Sequence, residues 1–594
     1  MIILGIHDGH CASAALIIDN KLVAAISEER IVRKKMEWCF PENAVKECLR
    51  IGKIKIKDVD KVAFSSFHIA PKLYLTRREA TFSLSDWLKE QNLYWYPKFY
   101  KKKNVKYIKI FQKNTKYKKF PYQKKFIKNE DDVKGMLKAR LEHAKSIFNK
   151  NNVSIEVYDH QECHAYHVLS FVKNRNKKKL IFTIDGAGDG ANATCWIYDP
   201  KKNFLNQVIR TDKCIIGRLY RFITLLLGML PVQHEYKVMG LAPYAKPEYA
   251  NEANKIFNEI LTVNKCSFVF KKKIKDLYFY FKEKLQGYRF DVIAYSLQNF
   301  TEEIISKWVS NVSKKYGIKD ICISGGVAQN IKCNQKISEL KSIDDVFVGP
   351  GSGDEGLSIG AAFRSLSEEN LSIDKNFYIK NAYLGNKFSD NEIKKEIEKL
   401  NKEKLTVEKF NKNKVINLLI KGEVVGRFCG KMEFGPRALG NRSIIADPRN
   451  KNIIQKINEV IKERDFWMPF APSILKEKSK KYIINKKNLD SSYMTIGLNV
   501  TQIAKDCLQA AIHSYDKTAR PHFVTRENNQ QYYDLIKAFE RKTGVSSLLN
   551  TSFNLHGEPI VCTPSDAIKT FLKSGLRNLI IENYLIRKKD EKKI

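Results

Sequence analysis

Short apolar runs that stop at glycine-containing turns recur along this chain. Residues 4–23 have the pattern of strand, turn and strand, with Asp19 and Asn20 at a hairpin turn. The pattern returns in residues 180–198, where an apolar run reaches an Asp-Gly turn and a second strand follows. The two hairpins lie about 180 residues apart, which predicts a duplicated α/β unit whose halves face each other across a cleft.

Two later apolar runs end in glycine-rich loops. Residues 321–330 (ICISGGVAQN) have the pattern of a buried strand and a glycine turn, and residues 346–362 (VFVGPGSGDEGLSIGAA) that of a strand, a loop and a helix start. Glycine lets backbone N–H groups approach a ligand closely, and the N-terminus of a helix favours negative charge. The two loops therefore predict a nucleotide site.

A polar, turn-rich stretch near residues 380–400 precedes a second α/β pattern, which opens at 424–450 and closes with a strand and turn at 546–561. We therefore expect one domain over residues 1–385 and another over residues 386–594. The chain of 594 residues is long enough for two cores, because single domains rarely grow past about 300 residues.

Composition and charge widen the choice of partners without fixing it. Hydrophobic residues at 43% and charged residues at 29% are typical of a globular protein. The formal net charge of +40 predicts attraction to anionic partners, including nucleic acid. The chain has 83 lysines and only 22 arginines, so a codon bias towards AT-rich triplets explains the excess at least as well.

The sequence gives no sign of export or of a disulfide framework. The twelve cysteines include no Cys-x-x-Cys pair, and the first residues lack the pattern of a signal peptide. The longest apolar run, at 222–232, is well short of the roughly 20 residues of a membrane-spanning helix. We expect a cytoplasmic protein with reduced thiols and no membrane span.

Eight segments, in order along nearly the whole chain, resemble the O-carbamoyltransferase family of NodU and TobZ type. The matching segments are GHCASAALI at 9–17, HEYKVMGLAPYA at 234–245, SGGVAQNIKCN at 324–334, GPGSGDEGLSIGAA at 349–362, MEFGPRALGNRSIIADPR at 432–449, FWMPFAPSIL at 466–475, TARPHFVTRE at 518–527 and NTSFNLHGEPIVCTP at 550–564. The long C-terminal motifs are highly specific.

The resemblance implies both a fold and a reaction. The fold is a duplicated ribonuclease-H-like domain of the actin/Hsp70/sugar-kinase type, akin to the tRNA threonylcarbamoyl-adenosine transferases, followed by a YrdC-like α/β domain. In such enzymes the second domain makes carbamoyl-adenylate from carbamoyl phosphate and ATP. The first domain then transfers the carbamoyl group to a hydroxyl of a saccharide or natural-product acceptor.

A metal site is expected around His160 and His164. The two histidines are four residues apart, so on a helix they share one face. Asp354 would complete the site with help from Asp185, and two histidines with a carboxylate suit Fe²⁺ or a similar ion. The family usually has a second histidine directly after the first, where this chain has Gln161. Taken without the resemblance, such a pair is more often core or surface than ligand.

His10 is our candidate general base, because it follows the first strand at the turn. A hydroxyl is a poor nucleophile at neutral pH, and a base within hydrogen-bond reach contributes roughly 10² to 10⁴ in rate. His7 is closer to the strand interior, and we interpret it as a packing residue.

Nucleotide contacts in the first domain are expected from six residues, with Glu235 and Lys237 near the phosphates and ribose. Asn330 and Asn334 could instead cap the helix that follows the glycine turn. The six residues are Glu235, Lys237, Gly325, Gly326, Asn330 and Asn334.

Arginine clusters in the second domain of a chain that otherwise prefers lysine. Five arginines fall within residues 427–464, which suggests a need for bidentate phosphate recognition, although chance clustering is an alternative. We expect Mg²⁺ to bridge the polyphosphate of ATP. The residues expected to bind carbamoyl phosphate and ATP are Lys431, Arg437, Arg442, Ser443, Arg464, Arg520, Arg526, Asn550 and Ser552.

Two other functions compete with carbamoyl transfer. The charge favours a tRNA-modifying or nucleic-acid-binding protein, but such relatives lack the C-terminal motifs. A sugar kinase would need neither the paired histidines nor the second domain. Residues 98–128 are rich in lysine and aromatic residues and hold no acidic residue. They form either a solvated loop or a surface for an anionic saccharide acceptor.

Overall fold

The computed structural model describes residues 1–116, 120–148, 153–369, 378–401, 403–462 and 465–589. The chain divides into two compact units, Met1–Ile379 and Lys380–Ile594. The division lies close to the domain boundary expected after residue 385.

The strands of the first unit, in chain order, belong to two five-stranded sheets and one separate hairpin. They are β1 (Ile2–His7), β2 (Ser13–Ile18), β3 (Lys21–Ser27), β4 (Lys61–Ser65), β5 (Ser154–Tyr158), β6 (Lys179–Gly188), β7 (Ala191–Asp199), β8 (Phe204–Thr211), β9 (Leu261–Asn264), β10 (Ser267–Phe270), β11 (Asp320–Ser324) and β12 (Asp345–Val348).

The two five-stranded sheets have the same topology. The first has the order β3-β2-β1-β4-β5, and the second has the order β8-β7-β6-β11-β12. In each sheet the first three strands in sequence pair antiparallel, and the two later strands add in parallel. This is the duplicated ribonuclease-H-like arrangement expected from the two hairpins. Asp19 and Asn20 both have positive φ, as a two-residue hairpin turn requires.

Helices pack around these sheets. They are α1 (Glu28–Val32), α2 (Glu42–Gly52), α3 (Pro71–Thr76), α4 (Arg78–Thr81), α5 (Leu84–Lys89), α6 (Tyr96–Tyr100), α7 (Tyr107–Ile110), α8 (Val133–Phe148), α9 (His160–Ser170), α10 (Ile216–Leu226), α11 (Glu235–Leu241), α12 (Asn251–Asn258), α13 (Leu277–Lys284), α14 (Phe290–Tyr316), α15 (Ile331–Ser338) and α16 (Leu357–Glu368), with a π-helical turn at Glu90–Trp95.

Helices α9 and α16 approach each other unusually closely. A Cβ atom on Gly360 of α16 would lie 1.9 Å from the carbonyl oxygen of Cys163 on α9. Gly5 of β1 is equally constrained, because its Cβ would lie 2.0 Å from the carbonyl oxygen of Ser358. Glycine at both positions therefore fixes α9 and α16 against the sheet, and α9 carries the paired histidines.

The second unit is a separate α/β unit on a mixed eight-stranded sheet of order β13-β23-β22-β14-β15-β21-β16-β20. The strands of this sheet are β13 (Leu405–Lys409), β14 (Val425–Phe428), β15 (Arg442–Ala446), β16 (Ala471–Leu475), β20 (His522–Val524), β21 (Ser547–Ser552), β22 (Asn578–Ile581) and β23 (Tyr584–Lys588). A three-stranded sheet contains β17 (Ile483–Ile484), β18 (Leu498–Val500) and β19 (Thr518–Ala519). The helices of the second unit are α17 (Asp390–Glu398), α18 (Lys412–Ile420), α19 (Asn452–Ile457), α20 (Ser479–Tyr482), α21 (Gln502–Cys507), α22 (Gln530–Thr543) and α23 (Pro564–Lys573).

The apolar core of the second unit lies under this sheet. It includes Phe428, Ile444, Leu549 and Phe571, which are buried in one cluster. Among the described helices of the whole chain, none is both long enough and apolar enough to cross a membrane.

Candidate active site

The paired histidines lie side by side at the start of α9. Asp159 caps this helix by accepting hydrogen bonds from the N–H groups of Gln161 and Glu162, which sets its first residue at His160. The spacing of four residues then brings the Nε2 atoms of His160 and His164 to 3.2 Å from each other. Both side chains are buried.

Two carboxylates from distant parts of the chain complete a cluster around the histidines. Asp185 lies in β6, and its Oδ2 is 3.2 Å from the Nε2 of His160. Asp354 follows the glycine-rich loop after β12, and its Oδ1 lies 3.7 Å from the Nε2 of His160 and 3.6 Å from that of His164. One ligand atom from each of the four residues lies within 4.8 Å of the others.

This donor set has the spacing of a metal site. Nitrogen and carboxylate oxygen ligands bind Zn²⁺ at about 2.0 to 2.2 Å, so donors around one small divalent ion are separated by roughly 3 to 3.6 Å. The closest donor pairs of the cluster have that separation. Two imidazoles and two carboxylates fit Fe²⁺ or a similar divalent ion. The geometry brings together all four residues that the sequence singled out.

The residues around the cluster orient His160. The Oγ of Ser66 lies 2.9 Å from the Nδ1 of His160, which leaves Nε2 directed at the cluster. The carboxylate of Asp189 accepts a hydrogen bond of 2.8 Å from the His160 backbone N–H. Ser66 was not found from the sequence, because it follows β4 in no recognisable motif. Outer hydrogen bonds of this kind fix the tautomer of a ligating histidine.

The charges within the cluster shift the pKa values of its residues. Burial alone lowers the pKa of His160, but the charges of Asp354 and Asp185 outweigh it and raise the pKa to about 9. Burial alone raises the pKa of Asp354, but His160 and His10 outweigh it and hold the pKa well below its usual range. The carboxylates therefore stabilise a proton on His160, and a metal ion at the cluster would take the place of that proton.

His10 lies beside the cluster and contacts Asp354. The Nδ1 of His10 is 3.4 Å from the Oδ2 of Asp354. Burial lowers the pKa of His10, but the hydrogen bond and charge of Asp354 raise it overall. The Nε2 of His10 has the Sγ of Cys11 at 3.4 Å. Donation from Nδ1 to Asp354 would orient the imidazole and leave Nε2, which the Cys11 thiol also contacts, to accept a proton.

His7 supports His10 rather than merely filling space. Its Nε2 lies 2.7 Å from the carbonyl oxygen of His10, and its Nδ1 lies 2.7 Å from the Oγ of Ser65. Burial lowers the pKa of His7 to about 4, so the ring is neutral at physiological pH. A neutral His7 donates from Nε2 to the His10 backbone, and this fixes the position of the turn.

The glycine turn after β11 is tied to the same cluster. The N–H of Gly326 donates a hydrogen bond of 3.0 Å to the Oδ1 of Asp185. Gly325 has a φ of +94°, and a Cβ there would lie 2.3 Å from the carbonyl oxygen of Ile184. The glycines therefore allow a close approach of two backbone segments beside Asp185.

Some of the polar side chains expected to bind a nucleotide make hydrogen bonds within the protein. Asn330 caps α15 by accepting from the N–H of Cys333, and Asn334 donates to the carbonyl oxygen of Ala328 at 2.7 Å. Glu235 and Lys237 lie on α11, and burial raises the pKa of Glu235. The structure thus gives both asparagines a structural role, and a nucleotide role for the six residues stays a prediction.

Arg442 in the second unit is held by backbone carbonyl groups. It is fully buried. Its guanidinium donates to the carbonyl oxygens of Cys429 at 2.9 Å and Gly430 at 3.2 Å, and it lies 3.7 Å from the ring centre of Phe428. Ser443 accepts from the N–H of Gly440. These contacts show structural roles for Arg442 and Ser443, and phosphate recognition by them stays a prediction.

Glu433 organises the loop that carries these residues, and it was missed in the sequence. Its Oε1 accepts hydrogen bonds from the N–H groups of Leu439, Asn441 and Arg442 at 2.8, 2.7 and 3.1 Å. The side chain is buried. The signal was present, because Glu433 is the only acidic residue among residues 432–442.

The remaining residues expected in the second unit differ in exposure. Asn550 is buried and donates to the carbonyl oxygen of Ala438 at 2.8 Å, and Ser552 donates to Asn554 at 2.7 Å. Lys431 and Arg526 are exposed, whereas Arg437 and Arg520 are half-buried. Arg464 lies outside the described residues.

The aromatic residues of the basic segment 98–128 are only partly available to a ligand. Tyr107, Phe111 and Tyr122 are buried, and the first two belong to an apolar cluster with Trp87 and Tyr94. These rings stabilise the helices of the segment, so they do not form a platform for sugar or base rings. Residues 117–119 lie outside the described residues.

A duplicated ribonuclease-H-like unit with a buried His/Asp cluster, followed by a second α/β unit, defines a two-unit enzyme. The family model described as carbamoyltransferase N-terminus matches residues 2–363, and the model described as carbamoyltransferase C-terminus matches residues 416–588. The chain therefore belongs to the carbamoyltransferase family, and it is a carbamoyltransferase.

The chain is also similar to individual proteins. An uncharacterised protein of Methanocaldococcus jannaschii is 34% identical over 99% of both chains. Nodulation protein NolNO of Sinorhizobium fredii is 29% identical over 98% of this chain and 79% of its own. The structure of component A of the Acidaminococcus fermentans (R)-2-hydroxyglutaryl-CoA dehydratase covers 62% of this chain and 98% of its own, at 12% identity and a TM-score of 0.33. That last similarity is too low to support an argument.

Proposed function

We propose that the chain is an ATP-dependent O-carbamoyltransferase with two half-reactions. In the second unit, water cleaves carbamoyl phosphate to carbamate and inorganic phosphate, and a carbamate oxygen then attacks the α-phosphate of ATP to form carbamoyl-adenylate and release pyrophosphate. In the first unit, the carbamoyl group passes to a hydroxyl of a saccharide or natural-product acceptor, and AMP leaves. Carbamoyl phosphate and ATP, with Mg²⁺ on the polyphosphate, are the proposed ligands of the second unit.

The contact between His10 and Asp354 carries the proposal for the first unit. Asp354 fixes the imidazole through Nδ1, so Nε2 can accept the proton of an acceptor hydroxyl as its oxygen attacks the carbamoyl carbon. His160, His164, Asp185 and Asp354 would hold Fe²⁺ or a similar ion. Such an ion would supply positive charge that stabilises developing negative charge during carbamoyl transfer.

The second unit supports adenylate formation through its arginine-rich loops. We propose that exposed Lys431 and Arg526 and half-buried Arg437 and Arg520 bind the anionic ligand, and their exposure supports this role. Buried Arg442 and Glu433 hold the loop between them in shape. In this proposal the side chains of Lys431, Arg437, Arg520 and Arg526 bind phosphate. The buried side chains of Arg442 and Glu433 position the backbone of the loop.

The proposed acceptor is a saccharide, and the lysines of residues 98–128 favour an anionic saccharide. No nucleic acid is needed for either half-reaction. This separates the proposal from a tRNA-modifying enzyme, which would require RNA for product formation.

Release of pyrophosphate tests the proposal before any acceptor is known. Purified protein with Mg²⁺, ATP and carbamoyl phosphate should release pyrophosphate without acceptor or RNA, and omission of carbamoyl phosphate should abolish it. Release that requires RNA, or transfer of the terminal phosphate of ATP to a sugar, would overturn the proposal.

A further inference from the structure

An apolar stripe is exposed on the helical segment of residues 84–100 in the first unit. Leu93, Tyr96 and Tyr100 are 51%, 38% and 40% exposed. They are three and four residues apart in a continuous helical run formed by α5, the π-helical turn and α6. We refer to these three residues as the aromatic stripe.

The aromatic stripe rests on a rigid support. The rings of Tyr96 and Tyr100 stack at a centroid distance of 4.9 Å, and Phe279 of α13 packs against them at 5.1 and 5.9 Å. Trp95 stacks on Phe99 at 5.2 Å. The stripe is therefore held in place without being buried, and its exposure is a property of the folded unit.

Lysines follow the aromatic stripe along the chain, whereas Asp276 and Glu283 lie near Tyr100 on the side of α13. Residues 91–129 contain no aspartate or glutamate. This local excess of positive charge follows the helical segment directly along the chain. The exposed lysines of this range are Lys98, Lys101, Lys102, Lys103, Lys106, Lys109, Lys113, Lys124, Lys125 and Lys128.

The ring faces of the stripe are already occupied. Lys101 Nζ lies over the Tyr96 ring at 5.7 Å from its centre, and Lys275 Nζ lies over the Tyr100 ring at 4.7 Å. Base or sugar stacking needs a free ring face. What the stripe offers to a partner is ring edges, hydroxyl groups and the Leu93 side chain. These are the groups that tyrosine and leucine insert at the boundary between lipid headgroups and acyl chains.

We propose that the aromatic stripe and the lysines that follow it dock the chain on the surface of an anionic lipid bilayer. The lysines meet headgroup phosphates, while Leu93, Tyr96 and Tyr100 enter the interface. Docking requires no spanning helix. It concerns the same lysines that the proposed function assigns to an anionic acceptor, whereas acceptor-independent pyrophosphate release depends on neither role. Because the attraction between lysines and headgroup phosphates contributes to binding along with insertion of the stripe, binding should need anionic lipid and should weaken as salt concentration rises.

Flotation with lipid vesicles tests the proposal on the full chain. The vesicles are phosphatidylcholine alone and phosphatidylcholine mixed with phosphatidylglycerol. One variant is Leu93→Ser, Tyr96→Ser, Tyr100→Ser, and another is Lys101→Glu, Lys102→Glu, Lys103→Glu. Matched controls are Tyr249→Ser, Phe290→Ser, whose side chains are both 59% exposed, and Lys476→Glu, Lys478→Glu, Lys480→Glu on an exposed part of the second unit.

The unchanged chain should float with the anionic vesicles and not with phosphatidylcholine alone. Each variant of the docking surface should lower the partition coefficient by at least about tenfold, since several interfacial groups are lost at once, and both controls should bind as the unchanged chain does. Far-UV circular dichroism and the thermal midpoint show whether the variants are folded. Absence of flotation, or equal binding by folded docking-surface variants, would overturn the proposal. So would binding of single-stranded RNA, instead of vesicles, that depends on the same residues.

Discussion

Asp354 contacts two parts of the first-unit site with its two carboxylate oxygens. Its Oδ2 lies 3.4 Å from the Nδ1 of His10, while its Oδ1 lies 3.6 Å from the Nε2 of His164. The residue therefore connects the candidate base to the candidate metal ligands. Any change at the cluster is expected to reach His10 through this carboxylate.

Replacing the base should separate the two half-reactions. His10→Asn removes the proton acceptor but keeps a side chain of similar size, so carbamoyl transfer should fall by about 10² to 10⁴ in rate. Acceptor-independent pyrophosphate release should be unchanged, because it occurs in the second unit. Parallel assays of pyrophosphate and of carbamoylated product check this. A loss of both activities in a folded variant would contradict the assignment.

Metal affinity should depend on Ser66. Ser66→Ala removes the hydroxyl that contacts the Nδ1 of His160, and loss of such an outer hydrogen bond typically weakens metal binding about 10- to 100-fold. Metal content of untagged protein after dialysis against a competing chelator measures this. Ser146→Ala is the matched control, since that exposed hydroxyl donates only to the carbonyl oxygen of His143. Equal retention of metal in the two variants would contradict the role of Ser66.

A single methyl group should disrupt the cluster at Gly188. A Cβ at this position would lie 2.2 Å from the ring of His160, whereas a Cβ on Gly186 has its nearest neighbour, the Arg221 side chain, at 3.7 Å. Gly188→Ala should therefore displace His160 and lower metal content, and Gly186→Ala should leave it near the normal value. Metal analysis and a crystal structure of each variant test the difference. Full metal content in Gly188→Ala would show that His160 is not a required ligand.

The buried ion pair of Asp8 and Arg140 should make stability depend on pH. Its shortest N···O distance is 2.6 Å, and both side chains are buried. Burial alone raises the pKa of Asp8, but Arg140 and Tyr122 outweigh it and lower the pKa. A carboxyl group with a lowered pKa stabilises the fold at higher pH, and this contribution is lost as pH falls through about 4 and below.

Arg140→Met should lower the free energy of unfolding by about 3 to 5 kcal/mol near neutral pH, because it leaves a buried charge unpaired. The deficit should shrink as acid protonates Asp8. Arg50→Met is the control, because the Arg50 pair with Glu47 lies at the surface and such pairs contribute at most about 1 kcal/mol. Urea unfolding at several pH values measures both variants. A deficit that stays constant down to acidic pH would contradict the account.

Local patterns predicted the parts of the site that depend on spacing. The spacing of His160 and His164 placed them on one helix face, and the two hairpins predicted the duplicated sheet. Ser66 and Asp189 could not be found in this way, because their roles come from the meeting of β4, α9 and the turn after β6. Arg442 shows another limit, since arginine clustering does not distinguish a guanidinium that binds phosphate from one that binds backbone carbonyls.

Mass spectrometry of saccharides and small molecules from the native host tests the central claim most directly. Cells with the gene, cells without it, and cells carrying His10→Asn are compared. The account predicts a compound that is heavier by one carbamoyl group in the first cells, that is absent from the other two, and that returns when the unchanged gene is restored. Identical saccharide and small-molecule profiles in all three, or a difference confined to modified tRNA nucleosides, would contradict it.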